Sequence, residues 1–265
     1  MESVEGLVKS AGLLRQLNTS WLVLARGLVD MLYPPVCLHC DAPLSAPDTI
    51  CPNCFKALRF ITAPRCPVMG TPFEVAMGEG ALSAEAIAEP PPFGRCRSAL
   101  VYNEVAGALV SRLKYGDRVE LARFCGHLMV GAGHELWGED AVLVPIPLHA
   151  SRLRTRRYNQ SAELALAISK CTGLTVASNV LFRKKKTRQQ VGLSGAGRAK
   201  NVSGAFEARL AAKLLLKDRR VILVDDVYTT GATVKAACRA LKRAGVKSID
   251  VVTLARVVIG TELPI

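Results

Sequence analysis

Aromatic residues make up only 5% of the 265-residue chain, too few for a surface that holds single-stranded nucleic acid by stacking a base on each ring. Long uninterrupted apolar runs are missing as well. Met1 to Gly6 is acidic rather than basic, and the apolar stretch after it is broken by Arg15, Arg26 and Asp30, so neither a signal peptide nor a spanning helix is expected. The nine cysteines are an odd number, a poor basis for a disulfide framework, and the chain is expected to work in the cytoplasm with its thiols reduced. Acids are scarce: 22 Asp and Glu face 35 Lys and Arg, a formal charge of +13. That excess favours anionic partners, whether phosphate esters, nucleic acid or acidic membrane surfaces, without choosing among them.

Three regions follow from the apolar pattern. In residues 1–33, Leu14, Leu17, Trp21, Leu24, Leu28 and Leu32 recur at spacings of three and four, one face of a packing helix over Ala11 to Leu32 that Pro34 and Pro35 stop. Residues 34–97 have no sustained period and are rich in Cys, Pro, Ala and Gly. They read as a small metal-held module followed by a linker, with Ala76 to Pro92 an irregular connection. In residues 98–265 strand-like runs (Ser98 to Tyr102, Val142 to Pro147, Leu174 to Leu181, Val221 to Val224, Ile249 to Leu254) alternate with helical ones (Val105 to Lys114, Leu121 to Leu136, Gln160 to Cys171, Val234 to Ala244). The fold class this predicts is α/β, a mostly parallel sheet with helices on both faces. Ligands of such sheets sit beyond the C-terminal strand ends.

Cys37-Leu-His-Cys40 and Cys51-Pro-Asn-Cys54 are two CxxC knuckles, the spacing of a closed tetrahedral thiolate site for structural Zn²⁺. Four sulfurs leave no position for a catalytic water, and His39 is expected beside the site rather than in it. Cys125, Cys171 and Cys238 fall in helical stretches as small core residues.

The segment Val221 to Thr233 reads VILVDDVYTTGAT: a buried strand, two acids at its end, a loop of hydroxyls and Gly, then a helix. The amides of Thr230, Gly231 and Ala232, with the hydroxyls of Thr229 and Thr233, can surround a phosphate at the helix N-terminus. Asp225 and Asp226 beside an anion would repel it unless they bind hydroxyls or a cation, and a ribose diol with Mg²⁺ supplies both. The segment resembles the signature of type I phosphoribosyltransferases, in which two acids bind the ribose hydroxyls and the loop the 5'-phosphate. Upstream, VPIPLHASRLRTRRYNQS (Val144 to Ser161) carries four arginines and no acid. In that fold the corresponding loop holds pyrophosphate; the bland reading is a solvated basic loop. Arg183 to Lys200 adds seven basic residues and no acid, interleaved with Gly, which suits a mobile lid or a nucleic-acid-binding loop.

Together, VPIPL, RRYNQS, TRQQVGLSGAGRAKNV and VILVDDVYTTGAT, in this order behind a cysteine-rich head, resemble the ComF family of competence-associated, phosphoribosyltransferase-like proteins. The resemblance covers about Leu32 to Arg256. It implies that Lys114, Arg156, Asn159, Gln190, Arg198 and Asn201 bind ligand, and it places Arg157, grouped with them, where many relatives have Gly. Relatives often carry a second pair of knuckles, but here Cys66 is followed by Met69 and Cys96 stands alone. The expected activity is transfer of the ribosyl 5-phosphate group from phosphoribosyl pyrophosphate, with Mg²⁺, to a nucleophile, releasing pyrophosphate; no side chain singles itself out as a base for the acceptor. Two other readings stand beside it: a non-catalytic sensor of phosphoribosyl pyrophosphate or a related nucleotide, and a nucleic-acid-handling protein of DNA uptake making weak contacts to DNA or the competence machinery.

Overall fold

The apolar runs come together as one five-stranded parallel sheet. In the computed structural model, residues 34–115, 120–185 and 204–258 are described; the expected helix Ala11 to Leu32 and the candidates Gln190, Arg198 and Asn201 lie outside them. Contacts divide the chain into two compact units, Met1–Pro52 and Asn53–Ile265.

The strands are β1 Cys96–Val101, β2 Ala141–Pro145, β3 Thr175–Val176, β6 Arg220–Tyr228 and β7 Ser248–Arg256, in the order β1-β7-β6-β2-β3. Every residue of β1 and β2 is buried, as is all of β7 after Ser248, which explains the continuous rather than alternating apolar runs: a parallel sheet is covered on both faces. Helices α4 (Glu120–Ala132) and α6 (Gln160–Thr172) pack on each other and on one face; α8 (Ala232–Arg243) packs on β6 and β7. Val221, Leu223, Val142, Val144, Ile249 and Val251 share a core with Val234 and Ala237 of α8. The alternate positions Ile222, Val224, Leu143 and Val252 are also buried and point to the other face, since successive strand side chains do.

Several boundaries depart from the sequence pattern. Leu174 to Leu181 is not one strand. Ser178 and Asn179 turn the chain, as their side chains favour; β3 joins the sheet while β4 (Leu181–Arg183) pairs antiparallel with β5 (Phe206–Ala208). The acids Asp225 and Asp226 are not at the end of β6: the strand continues through them to Tyr228, pairing with β7 as far as Arg256. Ala76 to Pro92 is not wholly irregular, because Ser83 caps the short helix α2 (Ala84–Ala88) by accepting from the amide of Ala86. Cys125 and Cys238 are core residues, but Cys171 is exposed, in the last turn of α6. The remaining short helices are α1 (Pro52–Lys56), α3 (Glu104–Tyr115), α5 (Ala150–Arg156) and α7 (Leu210–Leu215); α3 is the longer one, close to the expected Val105 to Lys114. No helix among the described residues is long and apolar enough to cross a membrane.

The basic stretch after β2 is a helix, not an extended loop. His149 caps α5, its Nδ1 accepting from the Ser151 amide at 3.2 Å. The helix ends on Arg157, exposed and left-handed at φ 66°, ψ −27°, a conformation that favours Gly and costs an L-residue roughly 1–2 kcal/mol. Arg157→Gly removes that strain at an entropic cost of about 0.5–1 kcal/mol, so urea unfolding should show the variant more stable by up to ~1 kcal/mol. A less stable variant would mean that the arginine side chain contributes more than its backbone costs.

Candidate functional site

At the β2–β6 junction the strand order reverses. β2 leads outward to β3 on one side, while β6 and then β7 follow on the other, so the loops after β2 and β6 diverge and leave a crevice. A cavity of about 490 Å³ lies there. Its walls bring together Asp225, Asp226, Thr229, Gly231, Ala232 and Thr233 from β6 and the loop into α8, Lys114 from α3, and Arg156 from α5.

The acids are held from α6. Asn159, the residue before that helix, accepts from the Ser161 amide at 3.2 Å and donates to the carbonyl of Ile146, just past β2, at 3.0 Å. This fixes the first turn of α6, where Ser161 Oγ donates to Asp225 Oδ1 at 3.0 Å and Gln160 Nε2 to Asp226 Oδ2 at 3.2 Å. Lys114 Nζ lies 2.8 Å from the same Asp226 oxygen. Asp226 therefore has a protein cation, and Lys114 stands with the acids rather than with the arginines with which it was grouped. Burial, with the neighbouring Asp226 charge, pushes the Asp225 carboxyl up to about 7, against the opposing hydrogen bonds and Lys114. Burial pulls the Lys114 ammonium down, but Asp226 and Asp225 leave it above its usual value.

The loop after β6 is shaped by Tyr228. A β-carbon on Gly231 would come within 2.1 Å of the Tyr228 hydroxyl, and Gly231 takes φ +70°, so glycine is required twice over at this turn. Gly231 precedes α8 without a side-chain cap, and the first turn of α8 carries no acid. The first amides of this twelve-residue helix thus face the cavity with no acid of the helix's own first turn beside them.

Arg156 is fixed by two neighbours, donating to Tyr115 Oη at 2.9 Å and Gln160 Oε1 at 3.3 Å, with its guanidinium 4.7 Å from the Tyr115 ring centre. Arg157, Asn159 and Thr230 do not line the cavity: Arg157 faces solvent, Asn159 is the positioning residue just described, and the Thr230 hydroxyl is buried. Arg152, one of the four arginines after β2, and Arg183, the first residue of the expected lid, do line it. Arg183 is buried in β4, against the Phe206 ring at 5.2 Å, rather than in a surface lid; burial, and Arg152 beside it, pull it down to about 10. Gln160 and Ser161 stood inside the quoted RRYNQS segment, and only the capping geometry of α6 reveals that they aim at the acids. The cavity wall carries Lys114, Arg152, Arg156 and Arg183 against Asp225 and Asp226, four basic groups to two acids.

The four sulfurs of Cys37, Cys40, Cys51 and Cys54 lie within 4.8 Å of one another. Cys37 Sγ accepts amide hydrogen bonds from His39 (3.4 Å), Cys40 (3.5 Å) and Cys51 (3.2 Å). Burial raises the Cys37 thiol, but these amides hold it at about 6, so it favours the thiolate that zinc takes. The donor set fits a closed structural Zn²⁺ site. Among the described residues, no other group of three or more His, Cys, Asp or Glu is so placed.

A double zinc ribbon domain matches residues 28–88 and a phosphoribosyl transferase domain residues 133–264. The chain thus joins a zinc ribbon to a phosphoribosyltransferase-like α/β fold. Competence protein F of Haemophilus influenzae is 29% identical over 83% of this chain and 96% of its own length. DNA utilization protein YhgH of Salmonella typhimurium is 30% identical over 84% and 97%, and competence protein ComFC of Bacillus subtilis 28% over 83% and 95%. The chain belongs to the ComF family. Among solved structures, it is similar to one described as the allosteric regulatory enzyme of purine biosynthesis, at 18% identity over 54% of this chain and 30% of that one, with a TM-score of 0.37, too low to carry an argument.

An acid whose folded pKa lies above its unfolded value holds its proton more tightly when folded, so it lowers stability as pH rises from the ordinary carboxylate range through the folded value. For Asp225 that window runs from about 4 to about 7. Asn can still accept from Ser161 and the Asp226 amide. Asp225→Asn should therefore melt above the wild type by more than about 2 °C at pH 8, with the gap closing toward pH 4. A gap that is constant with pH would contradict the burial of an unfavoured charge there.

Proposed function

We propose that the cavity binds phosphoribosyl pyrophosphate with Mg²⁺ and that the protein transfers its ribosyl 5-phosphate group to a nucleophile, in the service of DNA utilization. The observation that carries the reading is the pairing, in one 490 Å³ cavity, of two buried carboxylates with an uncapped helix N-terminus and an excess of basic side chains. A simple anion site has no use for Asp225 and Asp226. A phosphorylated sugar has: its hydroxyls donate to the carboxylates while its phosphates take the amides and guanidinia. The carboxylate oxygens also suit a hard divalent cation, which would screen the pyrophosphate as it departs.

In this reading the amides of Gly231 and Ala232 and the Thr229 and Thr233 hydroxyls hold the 5'-phosphate, and Asp225 and Asp226 hold the ribose. Arg152, Arg156 and Arg183 face the pyrophosphate. The bond from the anomeric carbon to the pyrophosphate oxygen breaks, its electron pair leaves with pyrophosphate, and the nucleophile bonds to the same carbon. Positive charge developing on the sugar is the barrier, and the nearby carboxylates lower it. Arginines that line a cavity, rather than spread over an outer face, favour a small polyanion over a duplex. The relatives named for competence and DNA utilization support the biological setting.

A charge-assisted hydrogen bond is worth roughly 1.5–3 kcal/mol, so Asp225→Asn and Asp226→Asn should each weaken binding about 10-fold to 100-fold in calorimetric titration with phosphoribosyl pyrophosphate and Mg²⁺. Unchanged affinity in both variants, or no heat from the wild type at millimolar ligand, would refute the assignment.

A further inference from the structure

Residues 65–88 repeat the backbone of the cysteine ribbon with only one of its four thiols. In the ribbon, Val36 bridges Pro43 antiparallel, the Cys37 amide donates to Ala42 O at 2.8 Å, and Asp41 turns left-handed at φ 58°. In the second segment Arg65 bridges Pro72, the Cys66 amide donates to Thr71 O at 2.8 Å, and Gly70 turns at φ 65°. The sulfur contacts match as well. Cys37 Sγ accepts from the amides of Cys40 and Cys51, at 3.5 and 3.2 Å; Cys66 Sγ accepts from those of Met69 and Ser83, at 3.4 and 3.3 Å. Each set is followed at once by a five-residue helix, α1 from Pro52 and α2 from Ala84. Cys66, Met69, Ser83 and Ala86 thus stand where Cys37, Cys40, Cys51 and Cys54 stand, and one thiol remains of four.

The helix of this second copy is tied to the phosphate loop. Glu85 accepts from the Tyr228 hydroxyl at 3.3 Å and lies 3.6 Å from Arg256, while Glu89 pairs with Lys235 of α8 at 2.9 Å. Arg256 also donates to the Met69 carbonyl, from the knuckle itself, and stacks on the Tyr228 ring at 4.9 Å. Tyr228 is the residue against which Gly231 closes. Tyr228, Lys235 and Arg256 are all buried, and Glu85 in α2 and Glu89 at its C-cap answer the two cations, Arg256 and Lys235, at the back of the loop.

We propose that residues 65–88 are a metal-free second ribbon, and that its helix, through Glu85 and Glu89, is the buttress that sets the conformation of the Thr229–Thr233 loop. Hydrophobic closure by the buried Met69 replaces the metal, and α2 is thereby free to contact the α/β domain. Glu85 is a positioning residue acting through Tyr228. This geometry does not depend on what the loop binds.

Two measurements on the full chain test it. Elemental analysis should find about one zinc in the wild type and two in the Met69→Cys, Ser83→Cys, Ala86→Cys variant, which restores the four ligands on an existing scaffold. One zinc in both would overturn the repeat. Hydrogen exchange, read without ligand, should show the amides of Thr229–Thr233 at least ~10-fold faster in Glu85→Gln, Glu89→Gln, with α4 and α6 unchanged. Tyr228→Phe, which removes only the hydroxyl that Glu85 holds, should act in the same direction. Loop exchange unchanged in both variants would overturn the buttress, whether or not phosphoribosyl pyrophosphate binds.

Discussion

The arrangement depends on keeping two adjacent carboxylates buried at the reversal point of a parallel sheet. Burying one ionised acid without compensation is unfavourable, and burying two side by side is worse. The surrounding structure answers that problem from one helix terminus and one cation: Ser161 and Gln160 from the first turn of α6, Lys114 from α3. Asn159 locks that turn to the end of β2, so the geometry of the acids follows from the packing of the sheet. Compensation is incomplete, since Asp225 remains raised to about 7. Such residual cost is expected where a site awaits a ligand's hydroxyls or a cation.

The α/β class was legible because a sheet covered on both faces demands continuous apolar runs, and VILV and its counterparts supply them. The two knuckles were legible because zinc imposes their spacing. The acids and the loop could be placed for a similar reason: a strand, two carboxylates, hydroxyls and Gly leave few other uses for that order. Arg157 was legible in another way, as an arginine where the family resemblance leads one to expect Gly, and its left-handed backbone fits that expectation.

What stayed hidden was long-range. Nothing local to Lys114 says that it meets Asp226 across 112 residues, and nothing local to Arg183 says that β4 buries it against the cavity. The continuation of β6 through the acids is set by the length of β7, its neighbour, not by the acids' own low strand propensity. The second ribbon is hidden because only Cys66 of it is a residue that advertises a ribbon. Its amide-to-sulfur and bridge geometry is built with Met69, Ser83 and Ala86 at the other three positions, and hydrogen-bond geometry carries no sequence pattern.

What occupies the crevice between β2 and β6 can be read from crystals soaked in phosphoribosyl pyrophosphate and Mg²⁺. The 5'-phosphate is expected on the amides of Gly231 and Ala232, the ribose hydroxyls on Asp225 and Asp226, and pyrophosphate facing Arg152, Arg156 and Arg183. A ligand seated elsewhere, or an unaltered Lys114–Asp226 pair above an empty loop at millimolar ligand, would contradict it.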